Sequence, residues 1–73
     1  MVMKIISESI PFSRRELQCL GLSIRGKSAS KVALDLGISQ RTVEEYLNNV
    51  KKKLGVTSKS EMINVAINLL LEL

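Results

Sequence analysis

The sequence contains no histidine and one cysteine in its 73 residues, and both shortages exclude kinds of chemistry. Without histidine, the chain lacks the commonest general base of enzymes. A single thiol, Cys19, cannot form an internal disulfide, and with no histidine to join it a zinc site is not expected. The composition therefore predicts no catalytic site and implies no bound metal or cofactor.

Long hydrophobic runs are also missing from the sequence. No apolar stretch approaches the roughly 20 residues that span a bilayer. The opening, MVMKIISESI, is too short and too weakly charged for a secretory signal. We therefore expect a cytoplasmic protein with no membrane contact. The length suits one domain, near the lower size limit for folding without disulfides or metals.

Charge gives the first positive indication of a partner. The net charge is +4, and the isoelectric point is about 9.6. Basic charge attracts phosphates whatever the base sequence, so nucleic acid is a partner that the composition allows. Charge alone leaves the question open, because many small soluble domains are modestly basic.

Helix start and stop signals divide the chain into four short helices with tight joints. Each helix begins after a serine that can cap it, and the first three end at a glycine. The caps are Ser13, Ser28, Ser39 and Ser58, and the stops are Gly26, Gly37 and Gly55. Ser13 and Ser58 are each followed three residues later by glutamate, which is the spacing of a capping box. No stretch alternates with period two for long enough to be a strand, so the predicted fold class is all-α.

The joint between the second and third helices is the most informative. The letters DLGIS leave only Gly37 and Ile38 between Leu36 and the Ser39 cap. So short a glycine turn between two amphipathic helices is typical of a helix-turn-helix. An ordinary helical hairpin in a bundle has a similar turn, so the turn by itself does not decide the function.

The third helix has two different sides. At roughly 100° per residue, one side is apolar and predicts a core stripe of Val43, Tyr46, Leu47, Val50 and Leu54. The opposite side carries Arg41, Glu44, Glu45, Asn48 and Lys52. Asparagine can pair with adenine edges, and glutamate can accept from cytosine N4 in the major groove. The lysine run 51–53 can reach phosphates, although a solvated face whose lysines suit the helix dipole would look the same.

From Phe12 onward the sequence resembles a LuxR-type (GerE-type) DNA-binding domain, in several motifs of matching order and spacing. The family's opening corresponds to Ser13, Arg15, Glu16, Cys19 and Leu20, and its G-[KL]-[ST] turn to Gly26, Lys27 and Ser28. Its I-A-x-x-L-x-I-S segment corresponds to Val32, Ala33, Leu36, Ile38 and Ser39. Its T-V pair is Thr42 and Val43, and its K-L-x-V-x-[ST] ending is Lys53, Leu54, Val56 and Ser58. The resemblance implies a four-helix LuxR-type helix-turn-helix domain over residues 12–73, with residues 1–11 as an N-terminal extension.

The resemblance also implies roles for individual residues. The helix over residues 39–54 is expected to enter the major groove of duplex DNA. The residues expected to read bases are Glu44, Glu45 and Asn48, and those expected to contact phosphates are Lys31, Arg41, Thr42, Lys51 and Lys52. Family members often have lysine or arginine where this chain has Glu44, so we expect an altered sequence preference.

The last predicted helix has more apolar surface than one core contact needs. In LuxR-type domains the same helix pairs two protomers, so the resemblance implies a homodimer. The expected seam contains Ile63, Ile67 and Leu70. In the alternative arrangement, the apolar N-terminal segment 1–10 folds back over this surface.

These patterns predict a sequence-specific transcription regulator that binds promoter DNA at an imperfect palindrome and contacts RNA polymerase. The alternative function is an interaction module that pairs with another LuxR-type regulator through the last helix and inhibits it. A purely structural four-helix bundle is the third interpretation. Cys19 occupies an apolar position of the first helix and is expected to be a buried thiol rather than a redox sensor.

Overall fold

The computed structural model describes residues 11–71, with the side chain of Leu70 excepted. These residues form four helices: α1 is Arg14–Ile24, α2 is Ala29–Leu36, α3 is Gln40–Leu54 and α4 is Lys59–Leu71. No strand occurs between residues 11 and 71, and the prediction of an all-α, four-helix fold is confirmed. Three predictions lie outside the described residues: the extension apart from Pro11, the alternative in which segment 1–10 folds back over the last helix, and the Leu70 side chain at the seam.

The predicted serine caps are present at the starts of the helices. The Ser13 hydroxyl accepts from the Glu16 N–H at 3.2 Å, and the Glu16 carboxylate accepts from the Ser13 N–H at 2.9 Å, which completes a capping box. Ser58 likewise accepts from the Glu61 N–H at 3.1 Å. The Glu61 carboxylate, however, accepts from the hydroxyls of Thr57 and Ser58 instead of a backbone N–H. Only one of the two hydrogen bonds of a capping box is therefore present between Ser58 and Glu61.

The turn between α2 and α3 requires its glycine for a conformational reason. Gly37 has φ 68° and ψ 33°, in the left-handed region that L side chains rarely adopt. A Cβ at this position would meet no atom within 4 Å, so the backbone angle and not the space selects glycine. The next residue, Ile38, donates its N–H to the Ala33 carbonyl at 3.1 Å. Ile38 also packs half-buried against the core.

The core draws on all four helices and on Phe12, which precedes α1. Its buried apolar members are Phe12, Cys19, Leu20, Val32, Ala33, Val43, Leu47, Val50, Met62 and Ala66. The predicted stripe of α3 supplies the middle of this core, with Tyr46 and Leu54 half-buried at its edge. Cys19 is fully buried, and burial raises the pKa of its thiol, so the prediction of a buried structural thiol is confirmed.

One lysine near the end of α3 turns away from the other two and reaches α1. The Lys53 ammonium lies 2.6 Å from a Glu16 carboxylate oxygen and donates to the Pro11 carbonyl at 2.9 Å. It also lies 5.7 Å from the centre of the Phe12 ring, a cation–π distance. The interpretation of residues 51–53 as a run that reaches phosphates is therefore wrong for Lys53. We call Pro11, Phe12, Ser13, Glu16 and Lys53 the α1–α3 anchor.

The charge of Glu16 makes the α1–α3 anchor sensitive to acid. Burial alone would raise the pKa of this carboxyl, but the Lys53 ammonium and the Ser13 N–H outweigh it, so the pKa lies below its ordinary value of 4.5. A group whose pKa is lowered by folding stabilises the fold above its ordinary pKa. That stabilisation is lost as the pH falls from 4.5 through the lower pKa of the folded state.

Glutamine at position 16 keeps an oxygen for the Ser13 N–H but removes the charge that faces Lys53. We expect Glu16→Gln to lower the free energy of unfolding at neutral pH by about 1.5–3 kcal/mol, the range for a hydrogen bond to a charged group. The deficit should shrink progressively as the pH falls below 4.5, because protonation of the wild-type carboxyl then removes the same charge. Urea denaturation at neutral pH and at about pH 3 measures both effects.

The control for this experiment is Glu45→Gln, which removes one end of an exposed ion pair on α3. It should change the free energy of unfolding by less than about 0.5 kcal/mol at either pH. An equal deficit of Glu16→Gln at both pH values would show that its charge does not stabilise the α1–α3 anchor.

Candidate nucleic-acid interface

The side of α3 opposite the core presents the predicted base-reading residues together. The exposed arc of α3 consists of Arg41, Glu44, Glu45, Asn48 and Lys52, and every member is exposed. The opposite side is held by Val43, Leu47 and Val50, which are buried against the neighbouring helices. The helix is therefore fixed by its core stripe, while the exposed arc is free to meet a partner.

Two of the cations predicted to contact phosphates are each paired with an acid one helical turn away. Arg41 Nε lies 3.6 Å from Glu45 Oε1, and Lys31 Nζ lies 3.5 Å from Asp35 Oδ1. The Arg41 side chain is 88% exposed and the Lys31 side chain 57%, so water screens both pairs. Exposed pairs of this spacing contribute only about 0.3–0.5 kcal/mol. A phosphate oxygen can therefore replace the carboxylate at little cost.

Asp35 also pairs with a second lysine, Lys27, which lies just before α2. The Lys27 ammonium donates to its carboxylate, and this bond together with the charges of Lys27 and Lys31 lowers the pKa of Asp35 below the ordinary value. The carboxylate therefore stays ionised at neutral pH. The cluster presents two ammonium groups and one carboxylate, so its net charge remains positive.

An open depression of about 430 Å³ lies between α3 and the first turns of α2 and α4. Its lining residues are Ala29, Glu44, Leu47, Asn48, Lys51 and Lys59. Leu47 is buried and gives the depression an apolar floor, whereas Lys51 and Lys59 are half-buried at its sides. Two cations, one carboxylate and one amide therefore face the same space beside the exposed arc.

Lys59 belongs to this surface, although the sequence did not assign it a role. Gly55 ends α3 in the left-handed conformation with φ 72°, and the turn that follows places the start of α4 beside α3. The Lys59 ammonium donates to the Lys27 carbonyl at 3.3 Å, which links α4 to the loop before α2. No periodicity or spacing in the sequence indicates this approach, because it depends on how the helices pack.

Thr42 lies at the start of α3, at the border between the exposed arc and the core. Its N–H donates to the Ser39 hydroxyl at 3.1 Å, and the two hydroxyls lie 2.8 Å apart. The side chain is half-buried. The hydroxyl is thus oriented by the helix cap, at the edge of the surface that the exposed arc presents.

Along α4 the apolar residues divide into a core side and a surface side. Met62 and Ala66 are buried in the core. Ile63, Ile67 and Leu71 follow at intervals of four and so share one side of the helix; Ile63 and Ile67 are half-buried, and Leu71 is 78% exposed. Within residues 11–71, no helix combines the length and the apolar content needed to cross a membrane.

A tight glycine turn, followed by a helix with one buried side and one exposed polar side, fits the architecture of a helix-turn-helix DNA-binding domain. The comparison with protein families agrees with this class: residues 10–66 match the bacterial regulatory proteins of the luxR family. The chain belongs to this family, which confirms the resemblance seen in the motifs. It is a LuxR-type DNA-binding domain of a transcription regulator, and not an enzyme.

Three curated relatives match this chain over most of its length, but over a much smaller share of their own. The transcriptional regulatory protein MctR of Rhizobium johnstonii is 40% identical over 60 residues, which cover 82% of this chain and 28% of the relative. The transcriptional activator protein VanR of Vibrio anguillarum is 43% identical, over 73% of this chain and 22% of its own. The transcriptional regulatory protein FixJ of Azorhizobium caulinodans is 42% identical, over 75% and 26%. The chain spans about a quarter of the length of these relatives. No solved structure matches it.

Proposed function

We propose that this domain regulates transcription in the cytoplasm by binding a specific promoter sequence, with α3 in the major groove. The observation that carries the proposal is the exposed arc of α3, which combines groups that can bond to base edges with cations at both ends. The bound domain would then act on transcription by contacting RNA polymerase.

The roles within the interface follow from position and chemistry. Glu44, Glu45 and Asn48 lie near the middle of the exposed arc and are proposed to face bases. The groups proposed to contact phosphates lie around them: Lys31, Arg41, Thr42, Lys51, Lys52 and, in addition, Lys59. Phosphate contacts of this kind set the position of a domain on the duplex, whereas base contacts select the sequence.

Salt dependence tests the proposed DNA binding. We expect micromolar or tighter binding to duplexes selected from a random pool, measured at low salt by fluorescence anisotropy. Because each neutralised phosphate releases counterions, the affinity should fall by at least about 100-fold between roughly 50 and 200 mM salt. A folded domain that binds none of the selected duplexes at low salt would contradict the proposal.

Two substitutions on the exposed arc should separate base reading from phosphate contact. Asn48→Ala should reduce the preference for the selected site by about 1–3 kcal/mol, because it removes a base contact. Lys52→Ala should weaken binding to selected and scrambled sites alike and should lower the salt slope by about one. Paired titrations of both variants on both duplexes measure the difference. Equal losses on the two duplexes for Asn48→Ala would remove Asn48 from the base-reading set.

We further propose that two protomers pair through α4. The half-buried and exposed side formed by Ile63, Ile67 and Leu71 supports this arrangement, since a two-fold axis presents the same apolar patch twice. The pair would set two α3 helices about one DNA turn apart, on an imperfect palindrome with half-sites roughly 10 bp apart. One short helix gives a small interface, so pairing should be strongest on DNA.

The proposed seam can be tested with a matched pair of charge substitutions on α4. Ile67→Glu should abolish cooperative binding of two protomers to a palindromic duplex, because it places a carboxylate at the seam. Asn68→Glu adds the same charge at an exposed position and should leave cooperativity intact. Analytical ultracentrifugation with and without duplex measures the stoichiometry, and circular dichroism checks the fold. Unchanged cooperativity in a folded Ile67→Glu variant would show that the seam lies elsewhere.

The alternative function, an interaction module that inhibits another LuxR-type regulator, is favoured by two features. Glu44 and Glu45 place negative charge on the exposed arc, where phosphates would approach. Leu71 adds exposed apolar surface to α4. A folded domain that binds no duplex at low salt, but forms a complex with a second LuxR-type domain, would support this alternative.

A further inference from the structure

The two neighbouring glutamates of the exposed arc have different surroundings. Glu45 Oε1 lies 3.6 Å from Arg41 Nε. Glu44 faces the depression between α2, α3 and α4 and shares it with Asn48, Lys51 and Lys59. Among residues 11–71 Glu44 forms no ion pair, whereas Glu45 does. The carboxylate of Glu45 is therefore paired within the protein, whereas the carboxylate of Glu44 is available to a partner.

A free carboxylate that approaches DNA is repelled by phosphates unless a donor meets it. In the major groove the suitable donor is the N4 amino group of cytosine. Lys51 and Lys59 line the same depression as Glu44 and offset part of the repulsion by neighbouring phosphates. At position 45 the partner is already present within the protein, because Arg41 lies one helical turn away.

The geometry points to separate roles for the two acids, and this inference rests on the proposed function. We propose that Glu44 determines specificity by accepting a hydrogen bond from a cytosine. Glu45 is reassigned from base reading to positioning, because it holds Arg41 and so limits the attraction of Arg41 to phosphates of any sequence. Asn48 follows Glu44 by one turn, about 6 Å along the helix axis, or roughly two base steps of 3.4 Å. A half-site should therefore contain a cytosine and an adenine no more than about two steps apart.

The test compares Glu44→Gln with Glu45→Gln. Each substitution removes one negative charge from an exposed position and keeps the shape of the side chain, so each is the charge control for the other. Duplexes are selected from the same random pool with the wild-type chain and with each variant. Binding to the wild-type site, and to that site with its cytosine replaced, is then titrated by fluorescence anisotropy. Circular dichroism verifies the fold of each variant.

We expect the wild-type chain to prefer cytosine over other bases at one position by roughly 5- to 150-fold. In Glu44→Gln this preference should fall below about threefold or shift to adenine, which glutamine can pair with. Glu45→Gln should keep the cytosine preference and bind every duplex about twofold more tightly at low salt, because Arg41 is released from a weak exposed pair to phosphates.

Three outcomes would overturn the inference. The first is an unchanged cytosine preference in Glu44→Gln, and the second is a preference lost only in Glu45→Gln. The third is a wild-type chain that selects no cytosine although it binds specific duplexes. If the folded wild-type chain binds no duplex at all, the proposed function fails and the roles of both glutamates fail with it. The binding of the wild-type chain thus distinguishes the two kinds of failure.

Discussion

The ion pair between Lys53 and Glu16 fixes the end of α3 against α1, and the core stripe fixes the rest of the helix. It joins the last turn of α3 to the first turn of α1, and the same carboxylate closes the capping box of α1. The Pro11 carbonyl and the Phe12 ring complete the surroundings of the ammonium. Removing either charge would leave the other partly desolvated, which is more costly than losing an exposed pair. The position of α3 is therefore tied at its end as well as along its core stripe.

On the candidate interface, carboxylates accompany two of the cations that are proposed to contact phosphates. Lys31 and Arg41 each have a carboxylate one turn away, so part of their charge is already compensated before any partner arrives. Such pairs are weak enough to open when a phosphate approaches. Under the proposed function, such a domain would rely less on unspecific attraction and more on correct contacts, since wrong sites would leave its carboxylates without donors.

Patterns that depend on neighbouring residues were predictable from the sequence. The serine caps, the Gly37 turn and the buried stripe of α3 follow from local spacing, and the structure confirms them. Contacts that depend on packing were not predictable. Lys53 looked like part of a lysine run, but its partner Glu16 lies 37 residues away in the chain. Lys59 joins the candidate interface only because the turn after Gly55 places α4 beside α3. The hydroxyl of the fully buried Ser23 has no hydrogen-bond partner within residues 11–71, and no local pattern indicates that position.

The short joints between the helices also bear on how quickly the chain can reach this structure. The connections are residues 25–28, 37–39 and 55–58. Each helix can therefore pack against the next one after only a small loop has closed. Contacts between sequence neighbours form early, because they cost little chain entropy. The packing of α1 against α3 and against α4 joins helices that are not neighbours in the chain, so it closes larger loops. The meeting of α1 with α3 and α4 is therefore the step expected to set the folding rate.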